Sequence, residues 1–239
     1  MSLTSREGLA IAEDVPLARL TTLALGGSAR YLATVHTDRD VEDALALARA
    51  RRLRVWALGG GSNVVVPDTG VDGVVLAMAT RGLHMRRDGS DMLIDAAAGE
   101  PWDALVAQAV EAGLAGVECL SGIPGLVGAT PIQNVGAYGQ DVSETIEHVR
   151  VFDRRTRSVI QLAPKDLAFS YRDSALKRDP ERAIVLEVGF RLRVGGAPKV
   201  AYAELARALA ETGGDAPATL AGVRRTVIAL RRRKSMVLD

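Results

Sequence analysis

Residues 121–142 read SGIPGLVGATPIQNVGAYGQDV, about twenty positions without a charge before Asp141 is reached. Five glycines and two prolines keep the segment out of a long helix and out of an ordinary strand interior. So uncharged a stretch belongs in the interior, yet a buried loop carries backbone N–H and C=O groups that cost free energy unless something pairs with them. The partners come either from elsewhere in the chain or from a ligand. Gly122, Gly125 and Gly128 recur at every third position, and Thr130, Gln133, Asn134 and Tyr138 place hydrogen-bonding side chains among them. Positions without side chains let a ligand approach the backbone, while a few polar groups orient it. A tightly packed internal loop is the other reading of the same residues.

A second glycine cluster, GGGSN at 59–63, follows the strand candidate LRVWAL. Consecutive amides there can form an anion-binding nest. The cluster leads into VVV, which favours a short strand over a helix, so the turn-plus-helix of a dinucleotide-binding βαβ unit is missing. Alone, GGGSN is equally a plain tight turn. Two such segments in one chain favour a shared pyrophosphate ligand.

Composition narrows the field. The chain has 239 residues, 48% hydrophobic and 25% charged, the balance of a globular protein large enough for two domains. With 4% aromatic residues, the core must be built mainly from Ala, Val, Leu and Ile. A net charge of +1 gives no overall attraction to nucleic acid or to an anionic membrane. One cysteine, Cys119, excludes an internal disulfide and a multi-cysteine metal site. No apolar run reaches membrane-spanning length and the N-terminus has no secretory pattern, so the cytoplasm is the expected location. His36, His84 and His148 stand far apart in no zinc-binding pattern, so no metal is expected. Neither a nucleophile elbow nor a P-loop occurs.

Periodicity predicts interleaved strands and helices, an α+β or α/β class. An irregular N-terminus precedes a glycine-interrupted turn and a strand within 20–35. Thr37 is the expected N-cap of a helix with Val41, Ala44, Leu45 and Ala48 on one face. MLIDAAA (92–98) is a strand candidate, and a helix is expected from Pro101 to Gly113. IEHVRVFDRRTRSVIQL reads as a hairpin and AIVLEVGFRLRV (183–194) as a long strand. YAELARALAETGG and PATLAGVRRTVIALRRRK follow as helices. A boundary near residue 80 divides the chain into 1–80, 81–218 and a last helical segment, 219–239.

Two further clusters carry chemistry. FSYRDSALKR (169–178) gathers Tyr171, Arg172, Asp173 and Ser174; Arg can grip a carboxylate with two parallel hydrogen bonds, and the plain reading is a surface Arg–Asp pair. RRRK at 231–234 either complements a helix dipole or grips phosphate.

In combination, LGGGSNVVV, IPGLVGATPIQNVGAYG, FSYRDSALK and RRRKSMVLD resemble, in that order, the UDP-N-acetylenolpyruvoylglucosamine reductases. The resemblance implies a two-lobed α+β FAD-binding fold of the vanillyl-alcohol oxidase (PCMH) type, with the family's third domain missing. It implies noncovalent FAD, with NADPH as the co-substrate that reduces it and a UDP-sugar as the substrate. Gly59, Gly60, Gly61, Ser62 and Asn63 would cradle the pyrophosphate. Gly128, Ala129, Thr130, Gln133, Asn134, Gly136, Ala137 and Tyr138 would complete the cradle and line the flavin. Arg172 would stabilise charge developing on the enolpyruvyl carboxylate as hydride arrives. Tyr171, Tyr202 and Lys234 would bind substrate, Lys234 at the UDP phosphates. The family's serine proton donor and a later glutamate lie beyond Asp239, and Ser235 is too early in the pattern to replace that serine. Reduction of the sugar is therefore expected to be impaired in this chain, and a flavin-binding module or redox partner is the alternative. An exposed apolar face is expected where the third domain would pack.

Overall fold

The computed structural model describes residues 9–213 and 217–237. Local chemistry sets the first helix, α1 (Asp38–Ala50). The Thr37 hydroxyl accepts from the Asp40 amide and the Asp40 carboxylate accepts from the Thr37 amide, a complete capping box. Val41, Ala44, Leu45 and Ala48 are its buried face.

Around α1 lies a four-stranded sheet. Strand β1 (Ala10–Pro16) pairs antiparallel with β2 (Ser28–Val35), while β2 and β3 (Arg54–Leu58) each run parallel to β4 (Val71–Met78), in the order β1-β2-β4-β3. Strand β1 corrects the expectation of an irregular N-terminus over residues 10–16, the first eight residues lying outside those described. It is an edge strand with Ile11 as its buried residue, so charges such as Glu13 face solvent without disturbing the ladder. The VVV run corrects a second expectation. Residues 64–67 form no strand and Val65 is 80% exposed, since the run pairs with no strand of either sheet.

The second sheet is antiparallel. It contains β5 (Leu83–Asp88), β6 (Asp91–Ala97), β10 (Ile146–Asp153), β11 (Ser158–Leu162) and β12 (Ala183–Val194), ordered β11-β10-β12-β6-β5, with β7 (Leu114–Ala115) on the end of β12. Helix α2 (Trp102–Glu111) packs on one face of it. Trp102 and Phe190 meet at 5.7 Å between ring centroids, and the indole N–H donates to the Leu120 carbonyl. Burying a side chain such as Phe190 contributes about 1.5–3 kcal/mol. Phe152, Ile184 and Leu186 of the second sheet share a core with Val41, Leu45 and Leu76 of the first, so one apolar interior joins the two sheets.

The quoted segment runs between them, through α3 (Thr130–Gln133) and the two-residue strands β8 (Gly136–Ala137) and β9 (Gln140–Asp141). Short helices α4 (Pro164–Leu167) and α5 (Ala175–Arg178) precede β12. Helices α6 (Ala203–Gly213) and α7 (Leu220–Arg233) form a third cluster in which Leu205, Val223, Val227 and Leu230 enclose Cys119. Burial, with the neighbouring Glu118 charge, pushes the Cys119 thiol up to about 12. Among the described residues, no helix is long and apolar enough to cross a membrane.

Candidate functional site

The chain itself supplies many of the partners that the uncharged segment needs. The Gly122 amide donates to the Asp103 carboxylate (2.6 Å), Val127 to the Glu100 carbonyl and Gly128 to the Ala98 carbonyl (2.9 Å each), while the Trp102 amide donates to the Gly125 carbonyl. The segment is thereby held as a rigid wall rather than a slack loop.

Against this wall stands GGGSN. A Cβ placed on Gly60 would lie 2.9 Å from the Gly125 Cα, and the Ser62 hydroxyl donates to the Pro124 carbonyl at 3.3 Å. The two glycine segments, some sixty residues apart in sequence, thus close on one another at backbone distance. Between them opens a cleft of about 430 Å³, floored by apolar side chains including Met78, Trp102, Ile132 and Val185. Gly59, Gly60, Gly61, Ser62, Asn63, Gly128, Ala129, Thr130, Gln133 and Gly136 line it. Among the described residues its charged lining is Arg172 and Arg231, with no carboxylate. Among the described residues, the amides of Gly59–Asn63 donate to no protein acceptor. Consecutive donors without an internal acceptor, two guanidinium groups and an apolar floor fit a ligand that joins a diphosphate to a flat hydrophobic body. FAD has that chemistry.

The remaining expected residues fall elsewhere. Asn134 is buried and structural: its side chain donates to the Ser170 carbonyl (2.8 Å) and accepts from the Ser143 amide (3.3 Å), and the residue adopts a left-handed φ of 46°. Ala137 and Tyr138 face a second cavity of about 400 Å³, together with Tyr171, Tyr202 and Lys234. Tyr138 and Tyr202 meet edge-on at 5.6 Å, and the Lys234 ammonium lies 5.9 Å from the Tyr138 ring centre. Burial raises the Tyr138 phenol above its ordinary value, against the opposing pull of Lys234 and Arg231. Glu204 accepts from Lys234 at 2.7 Å and holds its ammonium above the usual range.

Arg172 joins the two spaces, since it lines both. One Nη donates to Asp141 (2.8 Å) and to the Asn134 carbonyl (3.2 Å), and the other to the Gly136 carbonyl. Gly136 has a reason beyond ligand approach: a Cβ there would collide with the Asp141 carboxylate and the Arg172 guanidinium. The left-handed backbone at Arg172 (φ 54°) and the tight Ser170–Asp173 bridge hold it in place.

Arg231 is the residue that sequence reasoning missed. It too lines both spaces; its Nε donates to the Gly122 carbonyl (3.2 Å), and burial lowers its guanidinium below the ordinary value. The RRRK run carried a signal, but only the packing of α7 against the glycine segment separates Arg231 from its neighbours. Exposed Leu23, Leu25, Val64 and Val65 sit on two loops tied together by the bond from the Thr22 amide to the Gly61 carbonyl.

Comparison with known proteins places these features. Residues 29–160 match the family described as FAD binding domain. Over 228 residues the chain is 51% identical to the UDP-N-acetylenolpyruvoylglucosamine reductase of Streptomyces coelicolor, covering 95% of this chain and 58% of that protein. The Saccharopolyspora erythraea enzyme of the same name is 49% identical over 238 residues, covering 98% and 64%. The chain thus spans about three fifths of the length of these curated relatives. Among solved structures, the reductase of Thermus caldophilus superposes with a TM-score of 0.66 at 26% identity, over 97% of this chain and 71% of that one. A cholesterol oxidase from B. sterolicum shares the fold at a TM-score of 0.58 and 15% identity, over 81% and 40%. The resemblance and the fold class read from the motifs are borne out.

Proposed function

This chain belongs to the FAD binding domain family, and from that premise we propose that it is the FAD-holding part of a UDP-N-acetylenolpyruvoylglucosamine reductase. The observation that carries the reading is the closure of GGGSN on the IPGLVGA segment around a cleft that leads, through Arg172, into a second cavity. In this reading residues 1–80 and 81–218 supply the two lobes around FAD, and 219–239 leads toward the rest of the substrate site. The protein works in the cytoplasm, in peptidoglycan synthesis, with NADPH as reductant.

Bound FAD supplies hydride chemistry that no side chain offers. The residues of this chain do the rest. The amides of Gly59–Asn63 would donate to the diphosphate oxygens, and Gly128–Thr130 with Gln133 form the facing wall. Trp102, Ile132 and Val185 exclude water from the floor, which strengthens every electrostatic contact above it. Arg172 offers a cation whose orientation is fixed before the reaction by Asp141 and by two carbonyls, the arrangement that stabilises developing negative charge without reorganisation. Tyr171, Tyr202 and Lys234 hold the enolpyruvyl UDP-sugar in the second cavity, with Lys234 at its phosphates.

The test is direct. The purified chain is expected to be yellow, or to quench flavin fluorescence stoichiometrically when titrated with FAD. A folded, colourless chain that does not take up FAD refutes the reading.

A further inference from the structure

The three histidines stand far apart in sequence, but sheet register unites two of them. On the second sheet His148 of β10 pairs with Gly189 of β12, Gly189 pairs with Asp95 of β6, and Asp95 pairs with His84 of β5. Four adjacent strands therefore carry the row His148, Gly189, Asp95, His84, and paired positions point to the same face. Glu187, two residues before Gly189 on β12, shares that face.

Gly189 opens the middle of the row. A Cβ there would collide with the His148 ring, so the missing side chain lets the imidazole lie across β12 and bring Nε2 to 3.4 Å from Asp95 Oδ1. One ligand atom from each of Asp95, His148 and Glu187 lies within 4.8 Å of the others, and all three residues are half-buried. Ligands about 2.1 Å from a tetrahedral cation are about 3.4 Å apart, the separation already present between His148 and Asp95. His84 is exposed on the far side of Asp95, about 5 Å away at Cβ by its register, and can swing in as a fourth ligand.

The surrounding charge leaves room for a cation. Arg150 donates to Glu187 Oε1 at 3.3 Å, leaving Oε2, and is shared with Asp38. Arg191, beyond Gly189 on the same strand, is engaged by Glu147 and Asp88.

We propose that His148, Asp95, Glu187 and His84 form a site for a divalent transition cation of the Zn²⁺ type on the face of the second sheet opposite α2. Imidazole with carboxylate selects such ions over Mg²⁺ or Ca²⁺. The cation clamps strands β5, β6, β12 and β10 together.

The experiment is calorimetric titration of the full chain, free of any affinity tag, with ZnCl₂ and separately with MgCl₂. One Zn²⁺ per chain is expected, with no Mg²⁺ uptake and a rise in Tm of about 5 °C or more at a hundredfold excess over Kd. His148→Gln, Asp95→Asn and His84→Gln are each expected to weaken Zn²⁺ binding at least about tenfold. His36→Gln serves as the control and should leave it unchanged. Absence of stoichiometric binding at about 100 µM Zn²⁺, far above the affinities of built zinc sites, overturns the proposal. So does affinity unchanged in the His84→Gln/His148→Gln double variant. If circular dichroism shows that His148→Gln fails to fold, the exposed His84→Gln decides, and unchanged affinity there removes the four-ligand site.

Discussion

The cleft beside Gly59–Asn63 is made of backbone and apolar side chains, with Arg172 and Arg231 as its charges and, among the described residues, no carboxylate. The cavity beside Tyr138 is made of side chains, and two of its cations already hold anions: Arg172 with Asp141 and Lys234 with Glu204. Donors fixed in a main chain meet an incoming phosphate with little reorganisation. A side-chain cation that already holds a carboxylate, as Lys234 holds Glu204, must first exchange partners. On the proposed reading the cleft meets FAD as it stands, whereas Lys234 must leave Glu204 to reach a phosphate.

Gly60→Ala strikes hardest at this contrast. Its Cβ would push Gly125 away and part the two glycine segments, and overpacking of that kind costs about 1–3 kcal/mol, a loss of about 5–150-fold in FAD affinity by fluorescence titration. Arg172→Lys acts where the two spaces meet. A lysine cannot serve two carbonyls and Asp141 in one plane, so binding of the enolpyruvyl UDP-sugar is expected to fall about tenfold while FAD affinity changes little.

Asp103 tests the tie between the two spaces. It accepts from the Gly122 amide in the glycine wall and from both Nη atoms of Arg224 on α7, the helix that also carries Arg231. Burial opposes its ionisation, but the bonds from Arg224 and Gly122 outweigh that and hold its carboxyl below the usual carboxylate value. A depressed folded pKa contributes stability above the unfolded value of about 4, and that contribution is lost as pH falls through the folded value. Asp103→Asn should therefore cost about 1–2 kcal/mol at neutral pH, with the difference from wild type vanishing in acid, by denaturant titration across pH. The smallest effect is expected at Glu204. Glu204→Gln releases Lys234 and should tighten UDP binding a few-fold, while Lys234→Ala weakens it to a similar degree. If both variants weaken binding, the cavity does not need to break its own pair.

Much of the fold was legible because its signals are local. The Thr37 cap, the 3.6-residue spacing of α1 and α2, the β10–β11 hairpin and the twelve residues of β12 all stand where periodicity puts them. Strand β1 and the Val64–Val66 run read the wrong way for one reason: partner strands, not composition, decide whether a segment joins a sheet. In the candidate site, glycine content pointed to both walls of the cleft. It did not separate residues that face the cleft from Asn134, whose amide is used up inside the protein.

The order of residues alone determined which segments are helical, which are extended, and which carry bare backbone suited to close approach, because each of those follows from neighbours a few positions away. Only the tertiary structure decided that Gly60 meets Gly125, that Gly136 makes room for Arg172 and Asp141, and that His148 and His84 flank Asp95. Such meetings depend on sheet order and register, and a one-residue slip would turn every side chain to the opposite face.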